Sequence, residues 1–223
     1  MRQPDVFVLI PVIYRPIRLR RVLQSLKDTA PEIGIVVAIE ADDAKCEAVA
    51  KEFGAIATKC TRVRGGCSYA WNTALAAAPG TAQGFVLGAD DLVFKEGWYE
   101  AAQAALESIG GDGLVGFNDL HKADPKCATH YLMTRNHLIT VNGGVMTCPH
   151  YKTECVDVEA CERAQAVNKY IYAENAIVEH VWNGRVPDEY FLNNMRYSDK
   201  MRCLLDERRK MGYPNDFEAV LHG

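Results

Sequence analysis

Phe85-Val86-Leu87-Gly88-Ala89-Asp90-Asp91 is a short apolar run that stops at two adjacent carboxylates. A strand buried in a parallel sheet has a continuous apolar sequence, and the ligand crevice of an open α/β sheet lies beyond the carboxyl ends of its strands. The stretch therefore predicts that Asp90 and Asp91 lie at a ligand crevice, where two carboxylates can hold a hard divalent cation. A turn with a helix N-cap is the competing interpretation, because Asp is favoured at both positions.

The composition indicates a globular protein with a full hydrophobic core. The chain has 223 residues, of which 48% are hydrophobic, and a net charge of −4. This charge argues against a protein that holds nucleic acid mainly through a basic surface. The 8 cysteines are scattered without a Cys-x-x-Cys pair, which is typical of reduced thiols. No signal-peptide segment and no apolar run of about 18 residues is present, so we expect a soluble, cytoplasmic protein.

Three further apolar runs precede the opening stretch and predict parallel strands over residues 6–10, 33–39 and 55–61. The spacing of apolar residues predicts a helix after each of them. The second strand ends at three acids, Glu40, Asp42 and Asp43, which would reach the same crevice. The third is followed by a glycine-rich loop over residues 62–68, which either faces a phosphate at the N-terminus of the next helix or is a plain connector.

The regular alternation of strand and helix ends in the second half of the chain. Helices are predicted there over residues 98–109, 156–167 and 187–211, and strands over residues 114–117, 129–134 and 138–141, with a strand pair over 169–178. We therefore expect an α/β domain whose second half is an irregular elaboration and not a repeat of the first.

Three motifs, taken in order, resemble the nucleotide-sugar glycosyltransferases of the GT-A fold, and in particular the large family-2 group. They are Val8-Leu9-Ile10-Pro11-Val12, Gly66-Cys67-Ser68-Tyr69-Ala70-Trp71-Asn72 and Leu87-Gly88-Ala89-Asp90-Asp91. The family usually has Leu-Asp-Ala-Asp-Asp in the third motif, so Gly88 replaces its first Asp. The resemblance implies a single domain with a Rossmann-like, mixed and mostly parallel sheet flanked by helices. Residues 1–95 would form the nucleotide-sugar-binding half and residues 96–223 the acceptor-side half.

The resemblance also implies a metal site and a general base. Asp90, supported by Asp91, would hold Mn²⁺ or Mg²⁺, and His180 is similar to the late histidine that completes the site in many of these folds. Asp157 resembles the acid that serves as base in inverting members, with Glu159 in reserve. A solvated acid in the first turn of a helix is the alternative for Asp157, since acids are favoured there.

For the donor, the resemblance implies that an acid at the end of the second strand contacts the nucleobase, and Asp42 is preferred to Glu40 and Asp43. The residues implied to bind the nucleotide sugar are Pro11, Arg15, Asp42, Arg64, Gly66, Asn72, Ala89 and Asp90. The acceptor side would be lined by residues 118–151, with His130, Tyr131 and Asn142 as candidates.

The implied activity is metal-dependent transfer of a sugar from a nucleoside diphosphate sugar, with UDP favoured, to a hydroxyl acceptor with inversion. Two alternatives share the crevice. One is a sugar nucleotidyltransferase, and the other is a non-catalytic nucleotide-sugar-binding module, which stays open because Gly88 replaces the first family Asp. A cysteine hydrolase built on Cys67 at a helix N-terminus is a weaker rival. The acceptor stays open between a small molecule, a glycan and, less favoured, a modified nucleic acid.

Overall fold

The computed structural model describes residues 4–62, 65–122, 124–181 and 197–217. Within them lies a sheet of eight strands in the order β3-β2-β1-β4-β7-β6-β8-β5. The strands are β1 (Val6–Val12), β2 (Gly34–Glu40), β3 (Ile56–Cys60), β4 (Gly84–Leu87), β5 (Leu92–Phe94), β6 (Leu114–Asn118), β7 (Tyr131–Thr134) and β8 (Tyr170–His180). The first four run parallel, β7 is antiparallel to β4 and β6, and β5 is antiparallel to β8. The mixed α/β sheet is thus confirmed.

Helices flank the sheet on both faces. They are α1 (Pro16–Thr29), α2 (Ala44–Glu52), α3 (Cys67–Ala77), α4 (Trp98–Ser108), α5 (Arg135–Thr140), α6 (Val156–Ala166) and α7 (Ser198–Lys210). Their starts follow local chemistry: Pro16 occupies the first turn of α1, and the Asp43 carboxylate caps α2 by accepting a hydrogen bond from the Cys46 amide. In the described segments, no helix is long and apolar enough to cross a membrane.

Two hydrophobic cores lie on opposite faces of the sheet. Successive side chains of a strand point to opposite faces, so Phe7 and Leu9 of β1 join one core while Val8 and Ile10 join the other. All four are buried, which explains why the strand has a continuous apolar sequence. The sequence pattern of the first half therefore reports burial on both faces.

The second half departs from the predicted elements in two places. The strand predicted over residues 138–141 is wrong, because Thr134 ends β7 and its hydroxyl caps helix α5 by accepting a hydrogen bond from the His137 amide. The strand pair predicted over residues 169–178 is the single strand β8. A register irregularity lets β8 pair with β6 first and with β5 near its end. Much of the helix predicted over residues 187–211 lies outside the described residues, and α7 forms its last part.

A buried ionic network joins α6 to α7. The carboxylate of Glu159 accepts hydrogen bonds from Arg163 at 2.9 and 2.8 Å, from Arg208 at 2.9 and 3.1 Å, and from the Tyr151 hydroxyl at 2.8 Å. Glu159 is 2% exposed and Arg208 is 1% exposed. Burial would raise the pKa of Glu159, but the hydrogen bonds from Arg208, Tyr151 and Arg163 lower it overall. Glu159 therefore holds two helices together, and its reserve assignment as the base is wrong.

We expect Glu159→Ala to lower the free energy of unfolding by about 3–5 kcal/mol, because it leaves two guanidinium groups buried without their carboxylate. Urea denaturation measures the change. Glu162→Ala is the matched control on the same helix, since Glu162 pairs with Arg209 at the surface and its loss should cost less than about 1 kcal/mol. Equal losses in the two variants would contradict the structural role of the network.

Candidate active site

Two side chains fix the backbone at the end of β4. The indole Nε1 of Trp71 donates to the Gly88 carbonyl at 2.7 Å, and His130 Nδ1 lies 2.9 Å from the Leu87 carbonyl. On the other side, the Gly88 amide donates to the Leu9 carbonyl at 3.0 Å. These bonds place Asp90 and Asp91 immediately beyond the carboxyl edge of the sheet. Trp71 belongs to the Gly66–Asn72 motif, but no sequence signal distinguishes it from a core residue.

Asp90 is buried in a way that is costly for a carboxylate. It is 5% exposed, Arg15 Nη1 lies 3.5 Å from Oδ2, and that buried oxygen has no hydrogen-bond partner among the described residues. Burial, and then repulsion from Asp91, raises the pKa of Asp90 to about 6, although Arg15 and Arg18 oppose the shift. A buried acid with an unsatisfied oxygen is typical of a functional site.

Asp91 and His180 meet across two strands. Leu92 of β5 pairs with His180 of β8, and the Val181 amide donates to the Asp91 carbonyl. The imidazole Nε2 of His180 consequently lies 3.5 Å from Asp91 Oδ2, and its ring centroid lies 5.4 Å from that of His130. Across the described segments, no three His, Cys, Asp or Glu side chains are already arranged to hold a metal ion. The fold therefore brings Asp91 and His180 close to each other, but the described side chains do not form a ready-made metal-binding cluster.

The acids at the end of β2 have different environments. Asp43 is 3% exposed and is used by the fold, because its carboxylate accepts from the Tyr14 amide as well as from Cys46. Asp42 is exposed and accepts a hydrogen bond from the Tyr14 hydroxyl. Glu40 is half-buried as the last residue of the strand. Of the three, Asp42 is the acid most open to a ligand.

The loop before α3 packs against the protein. Gly66 has a φ of 93°, and a Cβ there would lie 2.3 Å from the Lys152 carbonyl, which accepts the Cys67 amide. That amide is therefore not available to a phosphate. Asn72 is also engaged: its amide donates to the Thr147 carbonyl at 2.8 Å and accepts from the Met146 amide at 2.9 Å. This helix start thus positions the loop over residues 146–152.

The remaining predicted donor-side residues are Pro11, Ala89 and Arg64, and the rival nucleophile is Cys67. Pro11 and Ala89 are half-buried beside the crevice strands, whereas Arg64 lies outside the described residues. The Cys67 thiol is not activated, because burial and the nearby charge of Asp90 raise its pKa to about 11. The structure therefore gives no support to a hydrolase built on Cys67.

A cavity of about 490 Å³ lies on the predicted acceptor side and is lined by Asp157 from the first turn of α6. Burial raises the pKa of Asp157, while the positive charge of Lys122 opposes the shift. Trp71 and His130 line the same cavity, so they contact both the end of β4 and the acceptor side. Lys122 and Arg202 also line it, and sequence reasoning missed both because they come from separate elements.

Two of the acceptor-side candidates belong to the interior instead. Tyr131 is fully buried and donates to the Met146 carbonyl at 3.1 Å, and Asn142 is 4% exposed and donates to the Val145 carbonyl at 2.6 Å. Each stabilises the loop that Asn72 holds from the other side. Their assignment to the acceptor is wrong, and only His130 of the three lines the cavity.

Solved structures of similar shape are glycosyltransferases. The mannosyltransferase PcManGT from Pyrobaculum calidifontis, in complex with GDP-Man and Mn²⁺, matches with a TM-score of 0.68 and 15% identity over 100% of this chain and 69% of its own. Glucosyl-3-phosphoglycerate synthase from Mycobacterium tuberculosis, with Mn²⁺, UDP and glucosyl-3-phosphoglycerate, matches with 0.61 and 14% identity over 86% and 77%. S. aureus TarS matches with 0.62 and 12% identity over 86% of this chain but only 38% of TarS. These similarities define the fold as that of GT-A glycosyltransferases.

The family follows from the sequence itself. The model of glycosyl transferase family 2 matches residues 7–156 of the 223, so the chain belongs to glycosyl transferase family 2. No curated protein matches the chain significantly.

Gly88, which replaces the first Asp of the family motif, has no room for a side chain. A Cβ there would lie 2.7 Å from Val8 Cγ1 and 3.0 Å from the Leu9 carbonyl. We expect Gly88→Ala to lower the free energy of unfolding by about 1–3 kcal/mol through overpacking. Gly80→Ala is the matched control, because nothing lies within 4 Å of its Cβ. Chemical denaturation that finds the two variants equally stable would contradict this packing account.

The raised pKa of Asp90 predicts a pH dependence of stability in protein kept metal-free with a chelator. The ordinary value is 3.8 and the folded value is about 6, so between them the unfolded chain loses the proton while the folded chain keeps it. Stability should therefore fall as pH rises through this window, by up to about 3 kcal/mol, and then level off. Asp90→Asn should remove this fall. Stability is measured by chemical denaturation at several pH values across the window. If the free energy of unfolding changes with pH equally in the wild type and the variant, the burial effect is contradicted.

Proposed function

We propose that this chain transfers a sugar from a nucleoside diphosphate sugar, with UDP favoured, to a hydroxyl acceptor, with inversion at the anomeric carbon. The observation that carries the proposal is the buried Asp90 carboxylate, with an oxygen that lacks a hydrogen-bond partner, at the end of β4 in a family-2 chain. A second acid, Asp157, lines a cavity on the acceptor side and supplies the separate base that transfer requires.

On the donor side, Asp90 and Asp91 would hold Mn²⁺ or Mg²⁺, with His180 as a third ligand. The residues fit such an ion, because hard divalent cations take carboxylate oxygens, Mn²⁺ also accepts imidazole, and water and diphosphate oxygens complete the shell. When bound, the ion would neutralise charge on the departing diphosphate. Arg15, 3.5 Å from Asp90, adds a fixed positive charge from the chain itself. The two relatives solved with Mn²⁺ support this choice.

On the acceptor side, Asp157 would take the proton of the attacking hydroxyl. The acceptor oxygen forms a bond to the anomeric carbon while the bond from that carbon to the β-phosphate oxygen breaks. The electron pair of the broken bond leaves with the diphosphate, and the hydroxyl proton moves to the Asp157 carboxylate. Because burial raises the pKa of Asp157, its ionised form is a stronger base than an exposed Asp. The single displacement inverts the configuration.

For the nucleotide, we propose Asp42 as the acid that contacts the base, since it is the exposed acid at the end of β2. Pro11, Gly66 and Ala89 would shape the crevice around it. UDP is supported by TarS solved with UDP-GlcNAc and by the mycobacterial synthase solved with UDP, whereas the mannosyltransferase holds GDP-Man. A test of the donor therefore has to include both nucleotides.

The proposal is tested by incubating the full chain and Mn²⁺ with UDP-glucose, UDP-GlcNAc or GDP-mannose and measuring free nucleoside diphosphate. We expect slow release from one donor, which is abolished by a chelator and by Asp90→Ala. Asp157→Asn should keep the affinity for that donor but lower turnover roughly 10²–10⁴-fold. Asp199→Asn is its matched control, because Asp199 is an exposed acid in the first turn of α7.

Two results would contradict this function. If no donor binds or turns over, and Asp90→Ala changes no measured affinity, the glycosyltransferase assignment fails. If a donor binds only with metal and is not turned over even with acceptor present, the chain is a nucleotide-sugar-binding module.

A further inference from the structure

The acceptor-side cavity has the size of a small-molecule site. Its volume of about 490 Å³ falls within the range of roughly 300–1,000 Å³ that is usual for small ligands. Its walls come from α3, from the loop between β6 and β7, from residues 153–155, from the first turn of α6 and from α7. Because Asp157 lines it, a molecule bound there would place a hydroxyl next to the proposed base. The chemistry of the remaining wall residues then indicates what kind of molecule fits.

Two buried polar atoms in the wall have no hydrogen-bond partner among the residues that the structure describes. His130 is 3% exposed, and its Nδ1 lies 2.9 Å from the Leu87 carbonyl, which can only accept. The hydrogen of the neutral ring is therefore on Nδ1, and Nε2 presents a lone pair. Over the described part of the chain, Nε2 has no hydrogen-bond partner, and neither has the buried Thr153 Oγ1 in the same wall. An unmatched buried acceptor is costly, so a hydroxyl of a ligand is its natural partner.

Neither cation of the cavity wall is held by an ion pair with a described residue. Lys122 and Arg202 line the cavity from two different elements, and both are exposed side chains. Of the two acids in the wall, Glu154 accepts a hydrogen bond from Ser198 and Asp157 is reserved for the proton of the acceptor. Two cations that line a small cavity, and that no described carboxylate holds in an ion pair, are suited to an anionic group of a ligand.

We propose that this cavity binds a small acceptor that carries both a hydroxyl and an anionic group, either phosphate or carboxylate. Lys122 and Arg202 bind the anion, His130 Nε2 accepts a hydrogen bond from a hydroxyl, and Asp157 faces the hydroxyl that reacts. The acceptor role rests on the proposed glycosyl transfer, whereas the binding of a hydroxylated anion does not require it. The acceptor class is thereby narrowed from any hydroxyl compound to a small hydroxylated anion.

Calorimetric titration of the full chain with glycerol, glycerate and sn-glycerol 3-phosphate tests the anion site. We expect one or both anions to bind and glycerol not to, with the tighter of the two identifying the anionic group. Lys122→Met and Arg202→Met should each weaken that binding about tenfold. Lys126→Met and Lys200→Met are the matched controls from the same loop and helix, and neither residue lines the cavity. Both controls should bind like the wild type.

Propyl phosphate, which has the same chain length as glycerol 3-phosphate but no hydroxyl, tests the role of His130. The wild type should bind it about tenfold more weakly, and His130→Phe should lose this discrimination while keeping its affinity for propyl phosphate. Equal affinity of the wild type for the two phosphates would overturn the hydroxyl contact, even where His130→Phe fails to fold.

The anion site itself would be overturned by failure of both anions to bind, by unchanged affinity in Lys122→Met and Arg202→Met, or by binding of a single-stranded oligonucleotide and neither small anion. UDP affinity with Mn²⁺ is measured on the same variants and should not change. Loss of UDP binding with anion binding intact would refute the donor assignment alone, so the two failures are distinguishable.

Discussion

The two hydrogen bonds that Trp71 and His130 make to the carbonyls of Gly88 and Leu87 are the interactions on which the candidate site depends. They fix the end of β4, where a strand would otherwise lose its ladder partners and fray. Because both side chains also line the neighbouring cavity, the same two groups hold the end of β4 and form part of the cavity wall, which are the proposed donor and acceptor sides. The distance between the two halves of the site is thereby set by packed, buried side chains and not by mobile loops.

The fixed end of β4 places the carboxylate of Asp90 in a buried position that is unfavourable for its ionised form. The Asp90 carboxylate is 5% exposed, and its Oδ2 has an ion pair with Arg15 but no hydrogen-bond partner among the described residues. The fold holds it there although burial disfavours its ionised form. Such a group is understandable if a ligand supplies the missing interaction. The packing at Gly88 restricts the same end of β4. The close contact between the end of β4 and β1 leaves no room for a side chain at this position, so the packing of this chain requires glycine there.

Glu159 is a buried carboxylate whose hydrogen bonds, unlike those of Asp90, are supplied by the protein. It is as buried as Asp90, but two arginines and a tyrosine satisfy it completely, and it holds α6 and α7 together. Since α6 carries Asp157 and α7 carries Arg202, this network keeps the proposed base and one proposed anion ligand in the walls of the same cavity. The protein completes the hydrogen bonds of Glu159 but not those of Asp90, and this difference supports a structural role for the first and a ligand-binding role for the second.

The sequence could predict the first half well, because strands buried on both faces have continuous apolar sequences and end at identifiable acids, as at Asp43 and Asp90. It could not predict the second half equally. Residues 138–141 have an apolar pattern that suits a strand, but the cap at Thr134 starts a helix there.

Glu159, Tyr131 and Asn142 were assigned to the site because sequence spacing cannot show that Arg208 or the backbone over residues 145–146 satisfies them. Lys122 and Arg202 were not predicted for the same reason, since residues from distant elements that line one cavity form no motif in the sequence. The roles of Asp90, Asp91, His180 and Asp157 are consistent with their positions and stay predictions.

The central claim is that the unsatisfied oxygen of Asp90 is a metal ligand for a nucleotide sugar. Anomalous scattering from crystals grown with MnCl₂ and UDP tests it most directly, because manganese is located independently of any assumed ligand. We expect a single strong peak of anomalous manganese density beside the Asp90 carboxylate, in contact with the UDP diphosphate. UDP bound in the crevice with no manganese at Asp90, or manganese bound elsewhere in the chain, would contradict it.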